Sequence, residues 1–176
     1  IAGSISEVTR KQIAFLREKS KIRAIKVDVE NLFNGNKSLE KLEIMKEVEN
    51  RYIKNEDILI YTTDKREEVN GTFSKIETNG LSLENISEKI ANFLGEIAKE
   101  ILEKFEISGL FLTGGDTAIK VSLALKAEGV IIKNEIIEGV PYGYFLDEKY
   151  KDIIIVSKAG AFGTEDAILK SLEFIK

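Results

Sequence analysis

The sequence contains no cysteine and no histidine. The first absence excludes disulfides, zinc–thiolate sites and thiol chemistry. The second excludes a Ser-His-Asp triad and any imidazole metal site within the chain. No apolar run reaches the roughly 18 residues needed to span a bilayer, so no membrane partner is expected and a cytoplasmic protein is. There is no excess of positive charge either. Lysine and arginine number 26 against 30 aspartates and glutamates, a net charge of −4. That balance argues against a nucleic-acid partner, although backbone amides can still form a local anion site. The chain opens Ile1-Ala2-Gly3-Ser4 without a methionine, which reads as the end of a strand entering a turn. A fragment of something longer is expected.

What is present is enough for one domain: 176 residues, 43% hydrophobic, with a real core. Short apolar runs alternate with helical periodicity. Thr9-Arg10-Lys11-Gln12 fits a capping box, with Gln12 reaching back to the Thr9 amide, and Ile13 and Leu16 then face the core. Ile22–Val29 reads as a strand, and Asn34-Gly35-Asn36 as a turn. Ser38 would cap a helix carrying Leu39, Leu42, Met45, Val48 and Tyr52 on one face. Asp57–Thr62 is the next strand, and 69–81 an irregular excursion. The strongest helix has Ile86, Ile90, Phe93, Leu94, Ile97, Ile101, Leu102 and Phe105 in one stripe. Gly95 inside it costs about 1 kcal/mol relative to alanine, which points to close backbone packing there.

Beyond it, Leu110–Thr113 reads as a strand, Thr117–Glu128 as a helix and Val130–Ile137 as a strand. Gly139–Phe145, with the only proline, is a turn or short extended piece. Ile153–Val156 is a strand buried on both faces, and Glu165–Ile175 the closing helix. The order β-α-β-α-β-α-β-α-β-β-α predicts a three-layer α/β fold with a mainly parallel sheet flanked by helices.

Two strand-to-helix junctions carry glycine. In Thr113-Gly114-Gly115-Asp116-Thr117, the glycines would let backbone approach a ligand closely and Thr117 offers a hydroxyl at a helix start. The same residues also suit a tight turn with Asp116 as N-cap. In Lys158-Ala159-Gly160-Ala161-Phe162-Gly163, the glycines could form a second wall, with Lys158 a point charge for phosphate. A plain loop with Phe162 in the core and Thr164 capping the last helix is the alternative. Gly3-Ser4 fits a turn, with Ser4 or Ser6 as a cap. Thr62-Thr63-Asp64-Lys65-Arg66 could line the same rim or form a solvated loop. Neither G-x-x-x-x-G-K-[ST] nor G-x-G-x-x-G is present, and no carboxylate pair suits acid–base chemistry.

Taken in order, Gly3-Ser4 with Thr9-x-x-Gln12-Ile13, Thr113-Gly114-Gly115-Asp116-Thr117-Ala118, Gly139-x-Pro141-x-Gly143 and Lys158-Ala159-Gly160-Ala161-Phe162-Gly163 resemble the C-terminal, nucleotide-binding domain of the four-carbon acid sugar kinases, over essentially the whole chain. The resemblance implies ATP-dependent phosphorylation of threonate, erythronate or 3-oxo-tetronate, with ATP and Mg²⁺ bound in a cleft between two domains. It implies nucleotide contacts from Ser4, Gly114, Gly115, Asp116, Thr117 and Gly160, with Gly163 and Lys158 as further candidates. It places the sugar acid and the general base in an N-terminal domain absent from this sequence. A homo-oligomer is compatible with this reading. Two rivals stand beside it: a nucleotide-sensing or interaction module that keeps the fold without catalysis, and an unrelated α/β phosphate-binding enzyme.

Overall fold

The computed structural model describes residues 1–67, 71, 76 and 80–176. The excursion expected over 69–81 falls largely outside them. Helix α1, Glu7–Lys19, starts at Ser6, whose hydroxyl accepts from Thr9 N at 3.1 Å. The capping box expected at Thr9–Gln12 therefore does not form. Both residues lie inside the helix, fully buried, and their side chains point to another loop. Ile13 and Leu16 are buried as expected.

Strand β1, Arg23–Lys26, is shorter than the apolar run that predicts it. Asp28 Oδ1 accepts from the amides of Glu30 and Asn31 and turns the chain into a 3₁₀ segment, Glu30–Leu32. Helix α2 is Lys37–Tyr52. Met45 and Val48 are buried, but Leu39 and Leu42 are half exposed. The physical reason is Glu40, 4% exposed, whose carboxylate accepts from Asp28 N at 2.8 Å and Asn31 Nδ2 at 2.9 Å. That anchor rotates the first turns so that Glu40, Ile44 and Val48 share the inner face.

Strand β2 is Ile58–Tyr61. The polar segment after it is no solvated loop at its start. Thr62 and Thr63 are buried, and Asp64 is held by Arg17 and Lys26. Helix α3, Leu83–Lys104, is capped by Ser82 and buries Ile86, Ile90, Phe93, Leu94, Ile97 and Leu102 of the expected stripe, while Ile101 and Phe105, the C-cap, are partly buried. Helix α4, Gly115–Leu125, comes directly after strand β3, Gly109–Thr113. A Cβ on Gly95 would stand 2.7 Å from the carbonyl oxygen of Lys120, so glycine is what lets α3 and α4 cross this closely.

Strands β4, Val130–Ile137, and β5, Val140–Phe145, form a hairpin turned at Gly139. Thus 140–145 is a full strand and not merely a turn. Pro141 is compatible with it because pairing with the next strand begins only at Tyr142, so the missing N–H leaves no ladder position empty on that side. Strand β6, Ile154–Lys158, leads to the last helix, α5, Ala167–Ile175.

The strand order is β1-β2 and β3-β6-β5-β4, with Ala2 bridging Tyr61 and Thr113 in parallel. Residues 1–3 fill the slot between β2 and β3. Ala2 N donates to Ile60 O at 2.7 Å and Gly3 N to Thr113 O at 3.1 Å. The sheet is parallel through β1, β2, the opening residues, β3 and β6, and antiparallel at the β5–β4 edge.

Alternation along the strands feeds two cores. Ile60, Leu110, Leu112 and Ile155 join the larger one with residues of α2, α3 and α4. Leu59, Tyr61, Phe111 and Val156 join the smaller one with α1 and α5. The result is the three-layer α/β architecture the pattern predicts.

Candidate functional site

Strands β3 and β6 are parallel neighbours, yet their chains leave in opposite directions. The connection from β3 enters α4 on the larger-core face, and that from β6 enters α5 on the other. A crevice opens where two such connections part at the carboxyl ends of parallel strands, and ligands of α/β proteins collect there. Here the opening residues of the chain end at the same rim, and their helix α1 goes with α5.

Gly114 closes the β3 turn. Its φ of +105° belongs to the region that favours glycine, and its N–H donates to Lys158 O at 3.1 Å, tying the ends of β3 and β6 together. Its carbonyl accepts from Ala118 N, which starts α4. Gly114 is the N-cap, with no side-chain cap bond. Asp116 lies inside the first turn and does not cap. The N–H groups of Gly115, Asp116 and Thr117 therefore find no acceptor among the described residues. They combine free donors with the positive end of the helix dipole. A Cβ on Gly115 would meet nothing within 4 Å. Thr117, 3% exposed, sits so close to Gly3 that a Cβ there would overlap its Oγ1.

The facing wall is the loop after β6. Gly160 stands against Ser4, so close that a Cβ on Gly160 would overlap Ser4 Oγ. Its carbonyl is held by Ser6 Oγ at 2.5 Å, Thr9 Oγ1 at 3.0 Å and Lys158 Nζ at 3.2 Å. Between the walls lies a cleft of about 230 Å³, lined by Ser4, Gly114, Gly115, Asp116, Thr117 and Gly160 together with Gly3, Ile5 and, from α3, Ser87, Ile90 and Ala91. A shallower depression of about 440 Å³ shares Ser87 and Asp116 and is flanked by Lys120, which pairs with Glu88 at 2.7 Å.

Six of the eight residues singled out in the sequence thus come together. Lys158 and Gly163 do not line the cleft. Lys158 is 3% exposed and burial holds its pKa down at about 8. Its ammonium is engaged below the loop. Gly163, at φ +81°, packs toward Ala167, Gln12 and Lys158. Phe162, which the plain-loop alternative puts in the core, is 57% exposed beside Gly139. Ser87, Ile90 and Ala91 give no sequence signal of a site because they continue an amphipathic helix without a break in its pattern, Ile90 as part of its apolar stripe.

Orphan amides at a helix start, facing a glycine loop where two parallel strands send their chains to opposite faces, define an α/β domain whose rim has the free donors an anion site requires. Sequence comparison makes this specific. The chain belongs to the family described as the nucleotide-binding C-terminal domain, which matches residues 1–168. It is 27% identical over its whole length to a D-threonate kinase of Salmonella typhimurium, of which it covers 42%. It is 26% identical over 99% of its length to a D-erythronate kinase of Heliobacterium modesticaldum, of which it covers 40%. The chain therefore spans less than half of these relatives. A crystal structure from Bordetella bronchiseptica, described as a domain of unknown function with bound citrate in a domain-swapped dimer, superposes with a TM-score of 0.76 at 24% identity. The match covers 99% of this chain and 39% of that one, and it bears on the fold alone. Among the described residues no helix is long and apolar enough to cross a membrane.

Proposed function

We propose that this chain is the ATP-binding half of a two-domain, cytoplasmic kinase that phosphorylates a four-carbon sugar acid of the threonate, erythronate or 3-oxo-tetronate type. The observation that carries the reading is the cleft itself: free amides of Gly115, Asp116 and Thr117 on one side, Ser4 and Gly160 on the other, in a chain of a nucleotide-binding family. The relatives named as D-threonate and D-erythronate kinases supply the substrate class.

In this reading the amides of 115–117 hold the nucleotide phosphates, and Ser4 and Gly160 close on them. No cationic side chain lines this cleft among the described residues, so backbone dipoles provide the attraction. Mg²⁺ suits such a site as a companion of the nucleotide, neutralising phosphate charge. No cluster of three or more metal-binding side chains is found among the described residues, and Asp116 is the carboxylate on the cleft. Phosphoryl transfer depends chiefly on positioning and charge neutralisation, which is what this half contributes. The sugar acid and the base that deprotonates its hydroxyl belong to the other half. A homo-oligomer is part of the same proposal, to be measured by light scattering.

The test is calorimetric titration of Mg-ATP and Mg-ADP into wild type and Gly115→Val. A Cβ on Gly115 meets nothing within 4 Å, so the fold is expected to survive while the side chain obstructs the phosphate amides. Saturable binding in wild type and its loss in the variant, at unchanged Tm, are expected. Equal affinity in the two would overturn the assignment.

A further inference from the structure

The loop after β6 is held from beneath by two enclosed side chains. Lys158 Nζ donates to Ala159 O at 2.9 Å, Gly160 O at 3.2 Å and Phe162 O at 3.0 Å, and stands 3.4 Å from Thr9 Oγ1. Gln12 Nε2 lies 3.1 Å from Phe162 O, 3.2 Å from Gly163 O and 2.8 Å from Thr164 O. Gln12 is fully buried, and its Oε1 has no partner. Its orientation is nonetheless fixed, since only the amide nitrogen can face carbonyls. The carbonyls of 159, 160, 162, 163 and 164 all turn inward.

No peptide among the described residues is cis, and in a trans peptide C=O and N–H point opposite ways. The N–H groups of Gly160, Ala161, Gly163, Thr164 and Glu165 therefore turn outward. Those of Gly160, Ala161 and Gly163 have no acceptor among the described residues, and Gly160 lines the cleft. An ammonium below the loop and N–H groups above it add in the same direction.

Around Lys158, α1 presents Thr9 and Gln12, β3 presents Thr113 through Thr9, and α5 presents Ala167 next to Gly163. None of these titrates. Among the described residues no carboxylate lies within ion-pair distance of Nζ, so carbonyl dipoles and the Thr9 hydroxyl balance a buried charge. That is a costly arrangement for packing alone.

We infer that Lys158 is a positioning residue of the nucleotide cleft: with Gln12 it turns the carbonyls of the 159–164 loop inward and so aims the loop's N–H groups at the bound anion, without touching phosphate itself. The inference rests on the nucleotide reading above and assigns Lys158 a role other than the phosphate point charge expected from sequence.

The experiment compares wild type, Lys158→Met and Gln12→Met by two measurements: hydrogen–deuterium exchange of the loop without ligand, and calorimetric titration of Mg-ADP. In Lys158→Met, loop exchange should quicken and the Kd for Mg-ADP rise, each by about tenfold or more, because charge-assisted hydrogen bonds are lost. Gln12→Met should move both quantities in the same direction by less. Wild-type Kd should rise between about pH 7.5 and about pH 9.5 as Lys158 loses its proton, and Lys158→Met should show no such limb.

A direct phosphate contact gives a different pattern: Lys158→Met loses affinity with loop exchange unchanged, and Gln12→Met binds like wild type. That pattern overturns the inference, as does unchanged affinity in both variants. If Lys158→Met does not fold, Gln12→Met decides. Faster loop exchange with weaker binding supports the clamp, and wild-type values overturn it. If wild type binds no Mg-ADP, the nucleotide reading falls, and the exchange measurement alone decides whether the clamp exists.

Discussion

Replacing Gly95 by alanine sets two effects of opposite sign against each other. In a helix interior alanine is favoured over glycine by about 1 kcal/mol, so an isolated α3 would gain. In this fold the new Cβ would stand 2.7 Å from Lys120 O and 3.0 Å from Lys120 C, with Ala124 Cβ at 3.4 Å. The two nearest atoms are backbone, so no rotamer change on α4 relieves the contact, and the helices must part by about half an ångström. Overpacking of this kind costs about 1–3 kcal/mol. After subtracting the propensity gain, the net is a destabilisation of about 1 kcal/mol, and of about 2 at most. In a domain of this size each kcal/mol lowers Tm by about 2–4 °C. Urea denaturation and a thermal melt would measure it.

Parting α3 from α4 also widens the cleft, since α4 carries the free amides and α3 supplies Ser87, Ile90 and Ala91. Mg-ATP affinity should therefore fall with stability. A Tm raised by the amount helix propensity alone predicts would refute the packing argument. A lowered Tm with unchanged affinity would break its link to the cleft.

Ser6→Ala should lower stability by about 1 kcal/mol through loss of the α1 cap, and it also removes one donor to Gly160 O; an unchanged denaturation midpoint would count against both roles. Lys158 gives a dependence on pH whose sign is fixed by its lowered pKa. Burial takes it from an ordinary 10.5 to about 8, so between those values the unfolded chain binds more protons than the native one, and this group adds stability as pH rises, by at most about 3 kcal/mol. The Tm difference between wild type and Lys158→Met should shift in favour of wild type from about pH 8 upward, and a constant difference would sink the assignment.

Much of the architecture could be read from residue order because local preference and tertiary need coincide. The α3 stripe, the doubly buried β6 and the glycines at the strand ends each admit few alternatives. The first three residues read as extended chain, and Ala2 bridges Tyr61 and Thr113 in parallel. Three of the misreadings share one cause, a polar side chain that found a partner remote in sequence. Glu40 turned α2 away from its apparent apolar face by binding the 28–31 turn. Gln12 left its helix terminus for carbonyls about 150 positions away. Lys158 looked like a cation for a ligand, and instead the protein's own carbonyls engage it. Residue spacing carries no signal for such pairings. β5 was under-read for a different reason: a proline is acceptable in a strand only where no neighbour needs its N–H, and that depends on register.

The three residues that fill the slot between β2 and β3 also set the order in which this domain can assemble. Ile1 bonds to Phe111, 110 positions further along, so the middle of the sheet cannot be completed until β3 is available. Until then residues 1–3 can pair with β2 alone, through Ala2 N to Ile60 O and Thr62 N to Ala2 O, and the amide-rich rim has no floor. A mid-sheet position given to the opening residues makes the cleft a late product of folding, dependent on closing a long loop. Any change that loosens residues 1–3 would divide the sheet before it disturbed either core.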